Sequence, residues 1–122
     1  MDLTGRTPAF TIDALRRAIE GRNAEQLINM YADDAELRVV DKNHTPSRPE
    51  VFKGKQAIAN YLRDVFGRDM THRVEQEVVG QDRVSFVEAC RYPDGTNVLG
   101  SMILDLRNGK INRHTIIQAW DE

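Results

Sequence analysis

The sequence is poor in cysteine and histidine and has no long apolar run. Its single cysteine, Cys90, excludes an intrachain disulfide and fits a reducing compartment. Three histidines, His44, His72 and His114, stand far apart, and no HxxxH or CxxC spacing occurs, so spacing points to no metal site. No glycine-rich phosphate loop is present. The formal net charge of −2 leaves no electrostatic footprint for nucleic acid or an anionic membrane. No apolar run approaches the ~20 residues needed to span a bilayer. The opening Met1-Asp2-Leu3-Thr4-Gly5-Arg6 lacks the apolar middle of a signal peptide, and a cytoplasmic setting is expected.

What is present is one domain's worth of chain. The 122 residues, 40% hydrophobic and 30% charged, are enough for a single core without internal repeats. Residues 1–9, with Gly5 and Pro8, read as a flexible arm before a domain over 10–122. A first helix is expected from Phe10 or Thr11, with Ala14, Leu15, Ala18 and Ile19 on one face and a stop at Gly21. Asn23 caps a second, short helix carrying Leu27, Ile28 and Tyr31. Asp33 and Asp34 read as a turn between that helix and a strand over 36–41. Residues 42–50, with Pro46 and Pro49, read as an irregular loop. Ile58, Tyr61, Leu62, Val65 and Phe66 then give a clear helical stripe that ends at Gly67.

The remainder reads as strand. Stretches 74–79, 84–92, 98–107 and 111–120 are rich in β-branched and apolar residues, and Asn108-Gly109 is a strong hairpin signal. Helices followed by a meander predict an α+β fold: three helices packed in a cone against a strongly curved, mostly antiparallel sheet, with an opening between the layers.

This order, with Gly21-Arg22-Asn23, Met30-Tyr31-Ala32-Asp33-Asp34-Ala35, Phe52-Lys53-Gly54-Lys55-Gln56-Ala57-Ile58 and Asn108-Gly109-Lys110-Ile111, resembles the nuclear-transport-factor-2-like superfamily. It is most similar to the SnoaL-like (polyketide cyclase) and ketosteroid-isomerase branch, with a cystatin-like α+β roll. The resemblance implies a pocket for a small apolar ligand or substrate and a homodimer formed through the sheet. It also implies cofactor-independent isomerase or cyclase chemistry, run in the isomerase by a carboxylate base and an oxyanion hole. The corresponding slots fall on Val39, Leu15 and Met102, all apolar here, while Tyr31 occupies the site of a supporting tyrosine.

Two residues stand as candidate acid–base groups. Asp41 ends the first strand two residues past the base slot; burial would raise its pKa toward neutrality, and the alternative is an aspartate bonded to loop amides. His114 shares a strand face with Asn112, Ile116 and Gln118; it could exchange a proton near pH 7 or be a hydrogen-bonded sheet residue. Tyr31, Tyr61, His72, Phe66, Met102 and Gln118 are the expected substrate contacts. His72 could pair with Asp41 or His114, in phase with Val74, Gln76 and Val78. Glu88 and Arg91 lie on opposite faces of one strand, and the pattern leaves open which face is inward. Cys90 reads as a small buried hydrophobe.

Two classes of function follow. One is an enzyme that moves a proton beside the carbonyl of an apolar compound. The other is a non-catalytic binding or dimerisation module using an outer sheet face with Arg73, Glu75, Glu77, Val79, Ile103 and Ile117.

Overall fold

The computed structural model describes residues 10–121; the proposed arm over 1–9 lies outside them. Helix α1 (Ile12–Glu20) starts where the Thr11 side chain accepts a hydrogen bond from the Ala14 amide, and it buries Leu15, Ala18 and Ile19. Helix α2 (Ala24–Ile28) is capped by Asn23, which accepts from the Gln26 amide, and buries Leu27 and Ile28. Helix α3 (Lys55–Gly67) buries Ile58, Ala59, Leu62 and Phe66, close to the stripe read from the sequence.

Among the described residues, six strands form one sheet: β1 (Tyr31–Val40), β2 (Glu50–Lys53), β3 (Thr71–Val79), β4 (Arg83–Arg91), β5 (Asn97–Arg107) and β6 (Lys110–Trp120). Their order is β2-β1-β6-β5-β4-β3. The meander β3 to β6 is antiparallel, β2 is antiparallel to β1, and the β1–β6 junction is parallel. Asn108 and Gly109 both take positive φ, 53° and 75°, as the tight β5–β6 hairpin requires.

The strands depart from the sequence reading at three places. The chain does not turn at Asp33-Asp34: β1 already begins at Tyr31. Between Tyr31 and Glu36 it advances five residues while β6 advances two, from Ile111 to Arg113. The surplus is absorbed as an irregularity, and both aspartates stay exposed on strand backbone, Asp34 accepting from Arg107. The loop read over 42–50 gives way at its last residue to a strand: residues 50–53 form β2 by pairing with β1. In β3, Gln76 takes φ 55° and the register shifts between Glu75 and Val78. The inward phase that holds His72 and Val74 therefore stops there, and Val78 is 66% exposed.

The helices cover one face of the sheet. Leu15, Ile19, Leu27, Ile58 and Leu62 meet Leu37, Val39, Val84, Phe86 and Leu104 in the principal core. Glu20 accepts a hydrogen bond from the Val74 amide, and Arg16 pairs with Glu77, tying α1 to β3. A smaller cluster of Met70, Cys90 and Val98, flanked by Tyr92 and Trp120, lies apart from that core. Among the described residues, no helix is long and apolar enough to cross a membrane.

Candidate functional site

Between the helices and the inner sheet face lies a cavity of about 140 Å³. A cavity of about 150 Å³ holds one benzene ring, which sets the scale of a fitting ligand. Much of the wall is apolar, with contributions from Leu15, Val39, Leu62 and Ile116. Three polar or charged residues are buried among the described residues, namely His72, Glu88 and His114, and all three line this cavity. Burying such groups is costly unless they are paired, so their partners decide what the site can do.

His114, on β6, is held on both sides. Its Nδ1 lies 2.7 Å from the Tyr31 hydroxyl and its Nε2 lies 3.4 Å from the Met102 sulfur. A thioether can only accept, so Nε2 carries the proton, Nδ1 is bare, and Tyr31 donates to it. Burial alone pulls the His114 pKa down to about 3, which keeps the ring neutral. Burial, followed by the charges of Tyr61 and Glu88, pushes Tyr31 well above the ordinary phenol range, so it remains a donor. Tyr31 stands behind His114 rather than on the cavity wall.

His72, on β3, has a different environment. The register of β3 and β4 places it directly opposite Cys90, and Glu88 lies two residues along the same face of β4. His72 Nδ1 is 2.8 Å from Glu88 Oε2 and 3.3 Å from Cys90 Sγ. The Cys90 thiol also donates to Glu88 Oε2, at 3.2 Å. A carboxylate only accepts, so His72 Nδ1–H donates to Glu88, and in the neutral ring Nε2 carries the free lone pair. That Nε2 is buried and has no hydrogen-bond partner among the described residues. The Phe66 ring meets the imidazole edge-on, with centroids 5.1 Å apart. Burial, then the charge and hydrogen bond of Glu88, push the Cys90 thiol above its ordinary range, so it is not a thiolate nucleophile.

Asp41 reaches the cavity wall but is engaged in its own loop. Its Oδ1 accepts from the Asn43 amide and bonds His44 Nδ1, both at 2.9 Å. Burial pushes its pKa up, but the bonds to His44 and Asn43 outweigh that and hold it below the usual range. This is the loop-amide aspartate weighed as the alternative in the sequence. Tyr61 leans on Phe52; burial, then the Glu88 charge, keep its hydroxyl protonated.

Arg68, Tyr92 and Trp120 also contribute to the wall. Arg68 donates to the Tyr92 hydroxyl, Tyr92 stacks on Trp120, and Lys42 sits 4.6 Å above the indole. Gln118 accepts from the indole N–H. The structure thus gathers Asp41, Tyr61, Phe66, His72, Met102, His114 and Gln118 around one cavity. It pairs His72 with neither Asp41 nor His114.

The sequence alone left Glu88 without a role and read Cys90 only as a small buried hydrophobe. Their signal was present: a strand face that buries Phe86 and Cys90 must also bury Glu88, and Arg91 is exposed.

The SnoaL-like domain pattern matches residues 12–114. The chain belongs to the SnoaL-like family. None of the curated proteins matches the sequence. Among solved structures it is similar to an NTF2-like protein of unknown function from Mesorhizobium loti, at 15% identity and TM-score 0.75, covering 88% of this chain and 87% of that one. An NTF-2 like protein of unknown function from Burkholderia xenovorans shares 18% identity at TM-score 0.73, covering 91% and 80%. A provisionally assigned ketosteroid isomerase from Kribbella flavida shares 16% identity at TM-score 0.73, covering 90% and 74%. At these identities the likeness shows the NTF2-like roll alone. SnoaL-like membership fits a small-molecule pocket or an isomerase- or cyclase-type protein.

Proposed function

We propose that this SnoaL-like protein is a cofactor-independent acid–base enzyme acting on a small, mainly apolar carbonyl compound of about single-ring size. The observation that carries the reading is the unpartnered Nε2 of His72, on a ring held from behind by Glu88. A carboxylate bonded to one imidazole nitrogen fixes the tautomer and leaves the other nitrogen as a base. His72 removes the proton beside the carbonyl, and Glu88 stabilises the imidazolium that forms. The protonated Tyr61 hydroxyl donates to the developing enolate oxygen. His114, engaged at both nitrogens, shapes the wall, and Asp41 organises the loop that borders it. The reading carries with it a cytoplasmic setting, supported by a single free cysteine.

The direct test is hydrogen–deuterium exchange beside the carbonyl of small cyclic ketones in D₂O, followed by NMR with metal-free protein. His72→Asn is expected to slow exchange by about 10²–10⁴-fold, and His114→Gln to leave most of it. Equal exchange rates in wild type, His72→Asn and Glu88→Gln would end this assignment.

A specific observation supports self-association alongside it. Leu99 and Ile117 are 52% and 47% exposed on the outer sheet face, next to the uncharged Ser101 and Ala119. A second copy covering this patch would remove apolar surface from water.

A further inference from the structure

We propose that His72, Glu88 and Cys90 form a binding site for one zinc ion. The donor atoms Nδ1, Oε2 and Sγ already make a closed triangle with sides of 2.8, 3.2 and 3.3 Å. Zinc held tetrahedrally by nitrogen, oxygen and sulfur at its usual bond lengths separates those donors by roughly 3.3–3.6 Å. Opening the triangle by about half an ångström or less therefore admits the ion. Side-chain rotation can supply that movement while the backbone stays fixed, because His72 and Cys90 are register partners across β3 and β4.

Charge favours the same occupant. A thiolate, a carboxylate and a neutral imidazole carry two negative charges, which a divalent ion cancels. A neutral centre is the form that a largely apolar cavity tolerates. One sulfur, one nitrogen and one oxygen donor suit zinc better than magnesium or calcium, which take oxygen. All three residues line the cavity, so the fourth ligand, a water or a small molecule, comes from that side.

Protons balance simply. The thiol proton leaves to solvent, the imidazole proton passes from Nδ1 to Nε2, and each donor atom gives a lone pair to the ion; no electron changes hands. With its proton on Nε2, His72 no longer has the free lone pair used above, so zinc and acid–base turnover exclude each other. Zinc binding itself does not rest on that turnover.

The experiment is a titration of chelator-treated full-length protein with Co²⁺, then with Zn²⁺ against a chromophoric chelator. One equivalent of Co²⁺ is expected to give the intense near-ultraviolet thiolate-to-cobalt band with visible tetrahedral bands, and Zn²⁺ to erase both. Cys90→Ser is expected to lose that band and weaken zinc by about 100-fold, and Glu88→Gln by about 10-fold. His44→Gln, which tests the separate Asp41–His44 pair, should bind zinc like wild type. A wild-type cobalt complex without the thiolate band overturns the proposal, whatever the variants do. Zinc affinity in a folded Cys90→Ser protein within twofold of wild type overturns it as well. Either result leaves the deuterium-exchange test of His72 standing.

Discussion

The Tyr31 hydroxyl lies 2.7 Å from Nδ1 of His114, and both groups are buried. Tyr31 opens the first strand and His114 sits on the last, so the bond crosses 83 residues of sequence. Removing the donor leaves the buried Nδ1 without this hydrogen bond. Tyr31→Phe is therefore expected to cost about 1–3 kcal/mol in urea denaturation, with an unchanged m-value. A cost indistinguishable from zero would show that the bond is not made in solution.

His114 also sets a pH dependence. Its folded pKa of about 3 lies below the ordinary 6.5, because burial disfavours the charged ring. Above pH 6.5 both folded and unfolded chains hold it neutral and it contributes no slope. Between 6.5 and 3 the unfolded chain binds a proton that the folded chain refuses, so stability falls as pH falls. By pH 5 the loss from this group is about 2 kcal/mol. Unfolding curves from pH 7.5 to 4.5 should show a shallower decline in His114→Gln than in wild type; parallel curves would refute the assignment.

Gly100 faces the cavity on β5. A Cβ there would stand 2.9 Å from the Met102 Cε, the flexible end of that side chain. Gly100→Ala should be accommodated at about 1 kcal/mol by a shift of Met102. The added methyl narrows the cavity, so a ring-sized ligand should bind more weakly while the fold persists. Thermal melts and ligand titration on the same variant separate the two effects, and unaltered binding would argue that ligands sit elsewhere.

Leu99 and Ile117 give the assembly prediction. If two copies meet on this face, Leu99→Glu or Ile117→Glu should yield a monomer by light scattering after gel filtration, with the circular dichroism spectrum retained. A wild-type protein that is monomeric at high concentration would dispose of the idea.

Much of the architecture was legible because its signals are local. The stripe Ile58, Tyr61, Leu62, Val65 and Phe66 makes α3, and Asn108-Gly109 makes the hairpin it announces. Asp33-Asp34 misled because an acidic pair before a strand usually turns the chain, whereas here an irregular β1 absorbs it. The candidate site was harder to read for a related reason. His72 and Cys90 are 18 residues apart, and only strand register makes them neighbours. No spacing rule for metal ligands or catalytic pairs looks across a hairpin whose register is unknown. The positive φ at Gln76, which ends the inward phase of β3, likewise leaves no compositional mark.

The position of β6 between β1 and β5 has a consequence for how the molecule is made. The first two strands have no hydrogen-bonded route to the other four until residues 110–120 are in place. During synthesis the early hairpin must wait for β6, the last strand in chain order of the described sheet, before it can join the meander. Closure of this sheet is thus a late, long-range event, and the waiting N-terminal half is the species a chaperone would have to shield.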